Sequence, residues 1–334
     1  PENPETKRRL KNLMDVTGLT QTLASQSADI ATREALLRVH PRSYLDAFEE
    51  ASKDNGGELG LRVPFGHGGY EQAALSTGLA CRAVADVMAG RVRNAYALSR
   101  PPGHHCLPDW PNGFCLLANI AVAIEAARSQ QPDLKVAVLD WDVHHGNGTE
   151  AIYIDDPAVL TLSIHQERNY PLDSGDADTR GVDKSNINIP LPPGAGHATY
   201  MQVMERIVQP ALERFKPDLI VVANKASLYG MGGGQHGGLS IKNADGSTPN
   251  TYSETIQMWT DGIQEMFSSA PFVNSKILYI QQVPTSKPNS PTLIRKNSDD
   301  STFDLSFSAN RNEIVQDEER ALSSFSNISL FNPA

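Results

Sequence analysis

Short apolar runs recur through the first two thirds of the chain and alternate with longer stretches whose apolar residues fall at helical spacing. Residues 135–139 (KVAVL), 159–165 (VLTLSIH) and 218–223 (DLIVVA) admit no solvated face, as strands buried on both sides of a parallel sheet do. A shorter strand is expected over 94–99 (NAYALS), and 186–190 forms a further segment between helical regions. Helical spacing covers 5–16, ending at Gly18, and an amphipathic region over 31–52 that His40-Pro41 interrupts. It returns over 70–89, stopped by Gly90, over 116–129, and over 198–215, where Pro210 should bend the helix. The repeated strand, loop, helix order predicts an α/β fold: a three-layer, doubly wound domain with a mostly parallel sheet.

Composition narrows this little but usefully. A chain of 334 residues, 40% hydrophobic, can bury the core of one large α/β domain or two smaller ones. A net charge of -10 and the lack of any Lys/Arg block argue against direct nucleic-acid binding. No apolar stretch approaches the roughly 20 residues of a membrane span. The three cysteines, Cys81, Cys106 and Cys115, form no CxxC and suggest a reducing compartment, so a cytoplasmic location is expected, nuclear being the alternative. The N-terminus reads as neither signal nor transit peptide, and because it lacks Met, further sequence is expected ahead of Pro1. Residues 1–283 are read as one domain, and the Ser/Asn-rich stretch 284–334 as a weakly ordered tail.

The chemistry gathers after strand 135–139. Asp140, Asp142, His144 and His145 follow it directly, and Gly146-Asn147-Gly148 is expected to turn the chain away. The crevice beyond the carboxyl ends of parallel strands is where ligands bind in such folds. If the chain stays extended here, alternation puts Asp142 and His144 on one side, where a carboxylate and an imidazole form a two-ligand metal half-site. A second loop follows strand 94–99: Arg100-Pro101-Pro102-Gly103 is a stiff platform for the vicinal pair His104 and His105. Imidazole titrates nearest neutrality, and a neighbouring carboxylate raises that value, so a His pair beside a metal half-site suggests general acid/base work. A capping or solvated cluster is the plainer explanation of four such residues, and the strand's buried character argues against it. In the glycine-rich stretch 55–69, His67 is a further candidate, although most such residues are simply loop.

Together PPGHH (101–105), NGFC (112–115), LDWDVHHGNGT (139–149), LSIHQ (162–166) and YPLDSG (170–175) resemble the zinc-dependent histone deacetylase family, nearest to its class II type and to bacterial deacetylase-like amidohydrolases. The resemblance runs from about Pro4 to Ala223, and the family's first strand would precede Pro1. It implies an arginase/deacetylase-like fold and a Zn2+ cofactor held by Asp142 and His144, with a structural K+ site involving Asp140. It further implies His105 as the general base toward the attacking water, partnered by Asn147, and His104 as electrostatic aid and late proton donor, partnered by Asp140. Gly113, Phe114 and Tyr170 match the wall of a narrow channel for an acyl-lysine-like chain, so an acylated lysine peptide or an acetylpolyamine is the implied substrate.

The C-terminal third departs from the family pattern. The third zinc ligand, an Asp in the family, aligns with Ser227, and the carbonyl-polarising Tyr after the late strand (276–282, KILYIQQ) is replaced near Thr285. His236 or Asp245, in the glycine-rich stretch 230–247, are conceivable replacement ligands. The expectations are a zinc-dependent deacylase, a catalytically impaired or inactive relative that binds acyl-lysine or polyamine, or a truncated or fused gene product. Oligomeric state is not legible.

Overall fold

The computed structural model describes residues 5–224, 276–281, 295–296 and 303–304. The expected helices and strands form, with boundaries shifted by a few residues. Helix α1 (Glu5–Val16), the short α2 (Arg33–Leu36) and α3 (Arg42–Lys53) precede α4 (Gly69–Met88) and strand β1 (Asn94–Leu98). Then follow α5 (Asn119–Arg128), β2 (Val136–Asp140), α6 (Asn147–Tyr153), β3 (Val159–Gln166) and β4 (Asn186–Leu191). Helices α7 (His197–Val203) and α8 (Gln209–Phe215) lead to β5 (Leu219–Asn224) and β6 (Lys276–Gln281). Two short strands, β7 (Arg295–Lys296) and β8 (Phe303–Asp304), pair antiparallel. The rest of the predicted tail lies outside the described residues.

The six longer strands form one sheet in the order β1-β6-β5-β2-β3-β4, every pairing parallel. All five residues of β2 are buried, because helices cover both faces. Val136 and Val138 pack into a core with Ala80, Val84, Ile120 and Ile124 from α4 and α5. Ala137 and Leu139, pointing the other way, join Leu160, Leu162, Val203, Val208 and Leu212 in the layer made by α7 and α8. This is the expected three-layer, doubly wound α/β fold. A third cluster, with Leu36, Phe48, Val63, Tyr70 and Leu117, seats α2 and α3 against the loops before α5.

Two local features refine the expectations. Residues 204–208 form a π-turn that joins α7 to α8, so the irregularity expected at Pro210 lies just before the proline, which itself occupies the first turn of α8. The 146–148 segment, expected to be a turn, instead begins helix α6 at Asn147. The sheet's direction of growth reverses at β2: the chain adds β3 and β4 on one side and β5 on the other. The crevice at the carboxyl end of β2 is therefore the fold's switch point, the place such sheets reserve for ligands.

Candidate active site

Asp140 closes β2 and organises the loop beyond it. Its Oδ1 accepts the Asp142 N–H at 3.0 Å, and Asp142 Oδ1 in turn accepts the His144 N–H at 2.7 Å. Two successive side-chain-to-backbone bonds of this spacing make tight Asx-type turns. They replace the extended chain expected here, yet bring the same two side chains together. His144 Nδ1 stands 3.2 Å from Asp142 Oδ1. That nitrogen is buried and makes no hydrogen bond. Two donors bound at about 2.0–2.1 Å to a tetrahedral zinc lie about 3.3 Å apart. The pair therefore fits one edge of a zinc shell. Among the described residues no group of three His, Cys, Asp or Glu gathers to complete one. Ser227, His236, Asp245 and Thr285 lie outside those residues.

The loop after β1 delivers the histidine pair. His104 and His105 are each 1% exposed, with ring centroids 3.9 Å apart. Helix α6 anchors them: the N–H groups of Gly148 and Thr149, which lack helical partners at its first turn, donate to the His104 carbonyl at 2.9 and 3.2 Å. His104 Nδ1 donates to Asp140 Oδ2 and His105 Nδ1 to Asn147 Oδ1, both at 2.8 Å. One histidine thus has a carboxylate partner and the other an amide. The His105 ring centroid is 5.9 Å from that of His144, so the pair stands beside the loop that carries Asp142 and His144.

Two further loops come up to the histidines. Gly113 and Phe114 both have positive φ, 51° and 67°, held by N–H bonds from Gly113 to the Leu61 carbonyl and from Phe114 to the Arg62 carbonyl. Phe114 is half-buried. The Tyr170 ring meets the edges of His105 and His144 almost perpendicularly, at 5.1 and 5.9 Å, and its hydroxyl donates to Asn112 Oδ1. Burial pushes the Tyr170 phenol up to about 12, Arg62 opposing it. Arg62 was not among the residues singled out from sequence, and Asn112 figured there only as part of the NGFC motif. Arg62 lies in the glycine-rich stretch where His67 drew attention. His67 itself is exposed, with Nδ1 3.3 Å from the Asp54 carbonyl, and makes no ring contact with the site.

A buried network backs the site. His145 Nδ1 lies 3.0 Å from Ser174 Oγ, whose hydroxyl donates to the Pro171 carbonyl, and His145 Nε2 lies 3.3 Å from Glu150 Oε2. Burial alone would raise Glu150, but His145 and the amides of Asn186 and Asn188 outweigh it and hold the carboxyl below its usual range. His165, at the end of β3, is drawn down to about 4 by burial and then by the nearby His145.

Residues 1–241 match the histone deacetylase domain model. The chain is 58% identical over 226 residues to a histone deacetylase-like amidohydrolase of Pseudomonas aeruginosa, an alignment covering 67% of this chain and 60% of that protein. It is 36% identical over 231 residues to a probable deacetylase of Archaeoglobus fulgidus, covering 67% and 64%, and 34% over 252 residues to histone deacetylase HDA1 of Saccharomyces cerevisiae, covering 67% and 36%. The chain thus spans less than two thirds of the length of each of these relatives. A crystal structure of the HDA15 HD domain superposes with a TM-score of 0.74 at 24% identity, covering 100% of this chain and 85% of that one, a likeness of fold. With the family model matched across more than half its length, the chain belongs to the histone deacetylase family.

Proposed function

We propose that this protein is a zinc-dependent deacylase that hydrolyses the amide of an acyl-lysine or an acetylpolyamine. The single observation that carries the reading is the convergence of Asp142 Oδ1 and His144 Nδ1, 3.2 Å apart, beside the stacked pair His104 and His105. Asp142 and His144 would hold the ion, and zinc there would act as a Lewis acid that polarises the amide carbonyl and acidifies water.

The chain's own residues divide the proton traffic between two histidines. With Nδ1–H donated to the Asn147 amide, His105 carries its lone pair on Nε2, and a neutral amide partner orients the ring without stabilising positive charge. His105 Nε2 is therefore the base that takes the proton from the attacking water. His104 is held by the Asp140 carboxylate, which stabilises an imidazolium, so His104 steadies developing negative charge and supplies the proton that the leaving amine needs. Gly113, Phe114 and Tyr170 form the apolar wall along which a slender acyl chain approaches and water is excluded. A structural K+ at Asp140 belongs to the same proposal.

The test combines metal content with turnover of a fluorogenic acetyl-lysine amide. The expected result is one zinc per chain and hydroxamate-sensitive hydrolysis, with Asp142→Asn losing both. Zinc retained in full by Asp142→Asn would overturn the assignment of the ion. The position aligned with the third ligand is Ser227, which favours a second reading, an acyl-lysine-binding module. Tight binding of acetyl-lysine peptide by a metal-free, inert protein would establish it.

A further inference from the structure

Arg62 stands over the Tyr170 ring, and the chemistry above does not use it. Its residue is exposed, with a left-handed φ of 60°, and its neighbours tie it to the site loop: Leu61 N–H donates to Pro111, and the Leu61 and Arg62 carbonyls receive Gly113 and Phe114. The guanidinium carbon lies 5.5 Å from the Tyr170 ring centroid, over its face. Stacking holds the group in place without using its N–H donors. Among the described residues no carboxylate forms an ion pair with it. Among the described residues, then, nothing neutralises this fork, which stands one ring away from His105. Exposed apolar residues adjoin these segments in the chain: Leu61 at 53% beside Arg62, Trp110 at 51% beside Pro111, and Leu172 at 73% two residues after Tyr170. Such a rim suits a peptide flank lying across the mouth, not a free cation.

We propose that Arg62 is a specificity residue that binds a carboxylate carried by the substrate beside its acyl-lysine. This rests on the deacylase reading and narrows it: an acidic peptide is favoured, and a cationic acetylpolyamine is disfavoured by the same charge. The carboxylate has two possible sources, a flanking Asp or Glu side chain or the free C-terminus of a terminal acyl-lysine.

The full chain would be assayed with zinc on capped acetyl-lysine peptides bearing Glu, Gln or Lys next to the acetyl-lysine, and on a Gln peptide ending in acetyl-lysine with its carboxylate free. The Glu peptide is expected to have a KM about 10-fold below that of the Lys peptide, the gap narrowing at high salt. The free-terminus peptide shows which source is used, by falling with the Glu or with the Gln peptide. Arg62→Gln brings the peptides to a common KM, Arg62→Lys keeps part of the order, and Arg62→Glu reverses it. Equal KM values across the wild-type series, or an order retained in Arg62→Gln, would overturn the proposal. Dissociation constants for the same labelled peptides, from fluorescence anisotropy, separate the two readings. Absence of turnover counts against the hydrolase, whereas equal constants count against Arg62.

Discussion

At the residue scale, Gly113 shows how tightly the site is assembled. A Cβ on it would lie 2.5 Å from His105 Cδ2 and 2.7 Å from Tyr170 Cε1, so the backbone itself is the spacer between histidine and aromatic wall. Its φ of 51° adds strain for any L side chain. Gly113→Ala is expected to lower kcat/KM by about 100-fold, since displacing a reacting group by an ångström costs that much. Global stability should fall by only about 1–2 kcal/mol, because the clash is confined to a loop. Matched thermal melts and acetyl-lysine kinetics check this, and a collapse of Tm in step with activity would refute it. Asp142 and His144 were legible as a pair from sequence, but the means of their convergence was not. The Asx turns that join them depend on which side chain folds back onto which N–H, a choice made by the surrounding packing. Arg62 was illegible for a plainer reason: an arginine in a glycine-rich loop has no periodic neighbour to reveal what it covers.

At the element scale, the loop carrying His104 and His105 is held between helix α6 and the break that separates α2 from α3. Helix α6 grips it from one side through the His104 carbonyl. On the other, His40, in the break between α2 and α3, bridges it: Nδ1 donates to the Pro108 carbonyl at 2.6 Å and Nε2 accepts the Ala118 N–H at 3.0 Å. This tautomer is neutral, and burial, partly offset by the Pro108 bond, lowers His40 from 6.5 to about 4. The sign follows directly. A histidine whose folded value lies below its unfolded one stabilises the protein fully above about pH 6.5 and loses that stabilisation on acidification toward pH 4. Between pH 7 and pH 5 the loss from His40 is about 2 kcal/mol. NMR of labelled histidine should show His40 uncharged at pH 5, and urea unfolding should show His40→Gln losing less stability than the wild type over that interval. A His40 signal titrating near 6.5 would refute both. The interruption at His40-Pro41 was legible from the sequence as a helix break, since Pro cannot continue a helix. Helix α6 was not, because its Gly-Asn-Gly start carries turn residues, and the partner of its Gly148 and Thr149 N–H groups, the His104 carbonyl, lies far off in the chain.

At the scale of the whole molecule, stability and site share one strand. β2 lies between β3 and β5, and Leu139, fully buried, packs into the α7–α8 layer one residue before Asp140. Leu139→Ala is expected to cost about 2–5 kcal/mol, read by urea unfolding, through lost apolar transfer and the cavity left behind. A cost below about 1 kcal/mol would mean the layer is loosely packed and the strand a poor platform. Among the described residues no helix is long and apolar enough to cross a membrane.

The amino-acid order alone determined the alternation of buried strands with amphipathic helices, the layered parallel sheet, and the clustering of Asp140, Asp142, His104 and His105 at strand ends. These follow from local periodicity and from residue types whose chemistry is unambiguous. Only the tertiary structure decided how Gly113 sits between His105 and Tyr170, and where Arg62 stands. Those are contacts between segments far apart in the chain, set by strand order and by the packing of α6, and neighbouring residues carry no trace of them.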